Sequence, residues 1–112
     1  MSDPINAGGT PQISQADRKA YAQEYKRGAA LFEKALQEFE NTDNMYKKAA
    51  FKDVMDKAME VLNSAAQGLK DPNILAQSKK IADDYTTFQT KETPITEKQL
   101  RDDLKAAQKS IS

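Results

Sequence analysis

Phe51-Lys-Asp-Val-Met-Asp-Lys-Ala-Met-Glu-Val-Leu-Asn-Ser-Ala-Ala-Gln-Gly-Leu-Lys-Asp-Pro72 is the stretch whose pattern decides the fold. Within it Phe51, Met55, Ala58, Leu62, Ala65 and Leu69 recur at alternating spacings of four and three, flanked by Val54, Met59 and Val61. Residues three and four apart share one face of a helix, and a repeat near 3.5 residues keeps that face against a single neighbour. Polar side chains take the other positions. The end of the run carries its own punctuation. Gly68 suits a left-handed cap, while Pro72 cannot continue a helix yet fits the first turn of a new one, with Asp71 as its N-cap.

The same register extends in both directions. Upstream, Ser14 is a capping residue with Asp17 three positions on. Tyr21, Tyr25, Gly28, Phe32, Ala35 and Phe39 then form a stripe to about Asn41, widened by Leu31 and Leu36. Asn41-Thr42-Asp43-Asn44 is a cluster of short polar side chains that compete for backbone hydrogen bonds, so a break is expected there. No proline or glycine enforces it, and a helix running straight through is the alternative. Downstream, Ile74, Ser78, Ile81, Tyr85 and Phe88 continue the period beside Leu75 and Ala82, and Thr93-Pro94 closes this third helix. Thr96 and Gln99 make a capping box for a fourth and weakest helix carrying Leu100, Leu104, Ala107 and Ile111. No strand-type alternation occurs. The expected fold is all-α: an antiparallel helical hairpin extended to a three- to four-helix bundle with coiled-coil-like seams. It forms one domain over residues 14–112 behind a flexible N-terminal arm, residues 1–13, which holds two of the four prolines, two of the four glycines and no periodic pattern.

Composition narrows the function. The 112 residues include seventeen basic and seventeen acidic side chains, which leaves no net field to draw the chain to nucleic acid. Histidine and cysteine are both absent, which removes the usual proton shuttle, the thiolate nucleophile, disulfides and His/Cys metal sites. No run approaches the ~18 apolar residues of a membrane span, and the first residues lack the basic and apolar regions of a cleaved signal peptide. The adjacent pairs Asp83-Asp84 and Asp102-Asp103 diverge by about 100° on a helix, so neither pair alone converges on one ion or one bond. Basic pairs such as Lys47-Lys48 and Lys79-Lys80 have acids within a turn or two, the pattern of a solvated face with i,i+4 ion pairs. The expectation is therefore a chain that is not an enzyme and needs no cofactor.

What remains able to do work is the apolar seams. Tyr21, Tyr25, Phe32 and Phe39 share one face of the first helix, and Ile81, Tyr85 and Phe88 one face of the third. They are the candidate interaction residues, either as the chain's own core or as a surface completed by another chain. Gly28 in that seam would permit close helix approach. The leading expectation is a helical protein that acts through self-association or a protein partner. The alternative is a small bundle that binds an apolar molecule in its core.

One string is more specific. Asp71-Pro72-Asn73-Ile74-Leu75-Ala76-Gln77-Ser78, followed by Asp84-Tyr85-Thr86-Thr87-Phe88, resembles the turn and following helix of the needle and inner-rod subunits of bacterial type III secretion systems. The resemblance covers about eighteen residues. It implies a bacterial protein, cytoplasmic or exported by a route other than the general secretory one. Its role would be as a component, chaperone or secreted partner of such a system. Two features depart from the family: Pro94 and the polar run Lys98-Gln99-Leu100-Arg101-Asp102-Asp103 in the last helix, and an opening helix longer than a needle subunit requires.

Overall fold

A computed structural model describes residues 13–111, which form four helices: α1 (Gln15–Asn41), α2 (Met45–Leu69), α3 (Pro72–Thr90) and α4 (Pro94–Lys109). Among the described residues there is no strand, and the protein is all-α. The arm read over residues 1–13 lies, apart from Ile13, outside the described residues.

Each helix starts where a short polar side chain can satisfy the free N–H groups of its first turn. The Ser14 hydroxyl accepts from the Asp17 N–H at 3.0 Å, and the Asn44 carboxamide accepts from Lys47 N–H at 3.0 Å. The break between α1 and α2 is thus real and spans Thr42 to Asn44, with Thr42 Oγ1 accepting from Asn44 N–H at 3.2 Å. The Asp71 carboxylate caps α3 by accepting from Asn73 N–H at 2.8 Å, with Pro72 in the first turn.

Four local expectations are corrected. The left-handed residue ending α2 is Lys70, at φ 55°, and not Gly68. Gly68 stays helical because a Cβ there would lie 2.6 Å from the Tyr21 ring, so its smallness serves packing instead of the turn. The capping box of α4 sits three residues earlier than Thr96–Gln99: Thr93 is the N-cap, Pro94 enters the first turn, and Thr96 takes the third position. α4 is also well anchored, since Leu100, Leu104 and Ala107 are fully buried. Leu31 and Leu75, read as widening their stripes, are exposed.

Packing follows the stripes. α1 lies along α2 and α4, and α3 lies along the same two helices. Gly28 faces Val61 and Leu62 while Gly68 faces Tyr21, which makes α1 and α2 antiparallel. Gln108 Nε2 donates to Glu33 Oε1 at 2.7 Å, and Lys80 Nζ meets Asp103 Oδ1 at 3.0 Å, tying α4 to α1 and to α3. The core runs the length of this arrangement, through Tyr25, Phe32, Leu36, Met55, Leu62, Ile81, Phe88, Leu100 and Leu104. The molecule measures 60 × 21 × 20 Å. No described helix is long and apolar enough to cross a membrane.

Candidate functional site

The seven seam residues meet one another inside the fold. Tyr25, Phe32 and Ile81 are fully buried, Phe88 and Tyr85 nearly so, and Tyr21 and Phe39 are half-buried. Phe32 stands edge-on to Tyr85 with ring centroids 4.9 Å apart, and Phe39 stands edge-on to Phe88 at 6.0 Å, so the two stripes join diagonally across the core. The polar tips of the tyrosines find partners at the rim. Tyr25 donates to Gln77 Oε1 at 2.6 Å and Tyr85 donates to Asp56 Oδ1 at 2.5 Å. Burial pushes the Tyr25 phenol up to about 12; burial and the Asp56 carboxylate push Tyr85 higher still. Neither phenol ionises at neutral pH, and both act as donors that fix the register of α3 against its neighbours.

Two aspartates that sequence spacing treats as members of separate adjacent pairs converge across helices. Asp84 on α3 and Asp103 on α4 share Lys80, whose Nζ lies 3.0 Å from an oxygen of each, while the second Asp103 oxygen is buried without a hydrogen-bond partner. Burial, then the nearby Asp84 carboxyl, lifts the Asp103 carboxyl to about 6, whereas Asp84 is held low by Asp103 and Lys80. A one-helix reading misses the pair because the partners are 19 residues apart in sequence and meet only when α3 and α4 are antiparallel. Among the described residues, no three acidic groups gather closely enough to hold a metal ion.

Two surface features were also not foreseen. At the end carrying the α1–α2 and α3–α4 turns, Met45, Tyr46 and Ile95 are 81, 89 and 71% exposed. All three sit in the first turn of a helix, ahead of its apolar stripe, and that position outside the stripe is the signal that marks them. Lys48 ties the two turns together: its Nζ lies 4.1 Å above the Phe39 ring, donates to the Phe39 carbonyl at 3.0 Å and reaches Glu92 at 3.8 Å. Burial, then the Glu92 carboxylate, raises the Glu40 pKa.

At the opposite end α4 stops short. With 16 residues against 27 in α1, it leaves the first turns of α1 uncovered on one side. The result is a cleft of about 700 Å³. Its floor is Ala22, Leu69, Ile74 and Ile111, and its α1 wall carries Arg18, Lys19 and Lys26. Arg18 is 3.8 Å from Asp71; Lys19 and Lys26 form no ion pair among the described residues. The cleft is a surface feature, separate from the filled core. Comparison with protein-family models, with curated proteins and with solved structures finds no match to this chain.

Proposed function

We propose that this chain is a non-enzymatic, helical protein-interaction protein: an antiparallel hairpin, α1 and α2, extended by α3 and α4 to a four-helix bundle with coiled-coil-like seams. The observation that carries this reading is the exposure of Met45, Tyr46 and Ile95, the three most exposed large apolar side chains, at one end of a chain whose stripes, Leu31 and Leu75 apart, are largely consumed in its own core. Large apolar side chains left this exposed on an otherwise polar surface are candidates for contact with another chain. The absence of histidine and cysteine supports the non-enzymatic part, since nucleophilic and proton-shuttling chemistry at neutral pH relies heavily on those residues.

The contact surface therefore shifts from the seams toward the ends of the molecule. The turn and helix at Asp71–Ser78, with Tyr85 and Phe88, support a sharper reading as a component, chaperone or exported partner of a bacterial type III secretion system. Size-exclusion chromatography with light scattering over a concentration series, together with chemical crosslinking in cells that express such a system, tests both levels. Self-association or a crosslinked protein partner supports an interaction role. A chain that stays monomeric and captures nothing overturns it.

A further inference from the structure

The cleft beside the first turns of α1 occupies the place that a longer α4 would take. Lys19, Lys26 and Glu33 stand seven residues apart, so they fall on one face of α1. α4 covers that face at Glu33, whose Oε1 accepts from Gln108 Nε2 at 2.7 Å and whose carboxylate meets Lys105 at 3.9 Å. Because α4 ends at Lys109, the face runs on uncovered past Lys26, Ala22 and Lys19, about 17 Å from Gln15 to Lys26 at 1.5 Å per residue. Two lysines thus stand where a fourth helix would otherwise lie. Elsewhere Lys52, Lys79, Lys80 and Lys98 each meet an aspartate four residues on. Lys19 and Lys26 have only alanine and glutamine three and four residues away on either side, and neither forms an ion pair among the described residues. Asp71 is the one acid lining the cleft, and it is already engaged: it accepts from Asn73 N–H at 2.8 Å and lies 3.8 Å from Arg18. Below the lysines the floor is apolar, formed by half-buried Ala22 and Ile111 with the edges of Leu69 and Ile74.

We propose that this cleft binds a single-chain aliphatic anion, a fatty carboxylate, with its tail along Ala22, Leu69, Ile74 and Ile111 and its carboxylate on Lys19 and Lys26. The site is additional to the interaction reading above and does not depend on it. The two lysines are about 10 Å apart along the helix, and their flexible four-carbon stems let both ammonium groups approach one anion set over Ala22. A neutral ligand gains nothing from them, and a cation is repelled. Size selects a small molecule over a protein. The volume of about 700 Å³ falls within the ~300–1,000 Å³ of small-ligand sites. A flank about 17 Å long and about 10 Å wide offers roughly a fifth of the ~800 Å² that each partner buries in a stable protein contact. At about 1.25 Å per methylene, from a bond of about 1.52 Å at an angle of about 111°, an extended chain of about twelve carbons spans most of that length.

Titrating the isotope-labelled full chain with monomeric dodecanoate near neutral pH, followed by amide NMR, provides the test. The expected result is a saturable set of shifts concentrated at Lys19, Ala22, Lys26, Ile74 and Ile111, with an affinity that falls several-fold on raising salt to roughly 500 mM. Dodecyltrimethylammonium, with the same tail and the opposite charge, and acetate, with the charge and no tail, should leave those amides unmoved. Two variants separate charge from shape, each first shown to melt like the parent by circular dichroism. Reversing the wall (Lys19→Glu, Lys26→Glu) should weaken dodecanoate binding about tenfold or more, whereas keeping its charge (Lys19→Arg, Lys26→Arg) should hold it within about twofold. Cleft amides that stay still up to about 1 mM dodecanoate overturn the site. So do equal binding of the cationic detergent, a reversed wall that binds like the parent, or shifts centred on the core around Phe32 and Leu62. Binding to anionic phospholipid vesicles with dodecanoate silent overturns it in favour of a membrane surface, and cleft amides that respond to protein concentration alone overturn it in favour of a second copy.

Discussion

Ser78 and Asp103 show how single side chains set the stability of this fold. Ser78 is 2% exposed in the α3 stripe, and its hydroxyl has no hydrogen-bond partner. A buried hydroxyl left unpaired costs about 1–3 kcal/mol, and alanine is also the better helix former. Ser78→Ala is therefore expected to stabilise the protein by about 1 kcal/mol, read from the midpoint of urea unfolding. Asp103 acts through pH. Its folded carboxyl titrates near 6, above its ordinary value of 3.8, so between those limits the folded chain holds a proton that the unfolded chain has released. Stability must then fall as pH rises from about 4 to 6 and level off above. Glu40, also raised, pulls the same way, while the lowered Asp84 acts only below pH 4. Asp103→Asn, which removes the titrating group but keeps a carbonyl facing Lys80, should flatten this slope, so that the parent loses about 5 °C more in melting temperature between pH 4.5 and 7 than the variant does.

The two glycines in the α1–α2 contact behave differently from one another, and Gly68 alone departs from its expected role. A methyl at Gly28 meets Val61 Cγ1 at 3.1 Å, a contact that a small shift relieves; a methyl at Gly68 meets the Tyr21 ring at 2.6 Å along one whole edge. Replacing glycine by alanine inside a helix gains about 1 kcal/mol of propensity. Gly28→Ala is accordingly expected to be near neutral, and Gly68→Ala to destabilise by about 1–2 kcal/mol once the cost of overpacking is set against that gain. In a Tyr21→Ala background the penalty at Gly68 should vanish, and a double-mutant cycle by thermal melts measures the difference. The same pair shows where the sequence was informative. The stripes identified all four helices and nearly every buried residue, because period and polarity are local properties. The break at Thr42–Asn44 was visible in its capping side chains. The end of α2 was misassigned because glycine satisfies two demands, a left-handed backbone and a close approach, and only the position of Tyr21 reveals which applies. The box of α4 was displaced because Thr93 and Thr96 are both competent caps, and Pro94 fits the first turn as well as it ends the preceding helix. The Asp84–Asp103 pair, the cleft and the apolar tip depend on how helices of unequal length align, which no one-helix pattern contains.

As a whole the molecule is a rod three times longer than it is wide, with a radius of gyration of 16.3 Å against about 13 Å for a compact domain of this length. Shape then reports on assembly. If copies add end to end, small-angle scattering should show the maximum dimension growing with concentration while the cross-sectional radius stays constant; side-by-side addition would thicken the rod instead. The surface ion pairs are consistent with such economy of contact. Lys52–Asp56 and Lys79–Asp83 are exposed i,i+4 pairs worth about 0.3–0.5 kcal/mol each, and with Lys98–Asp102 they occupy the flanks rather than the ends. The pairing of α1 with α4 carries a different consequence, in time. Glu33 and Gln108 are 75 residues apart, so α1 leaves the ribosome well before the helix that covers this flank of it. At about 5–20 residues per second it waits several seconds with the flank around Glu33, which α4 will take, uncovered, the interval in which a nascent-chain chaperone has access to it.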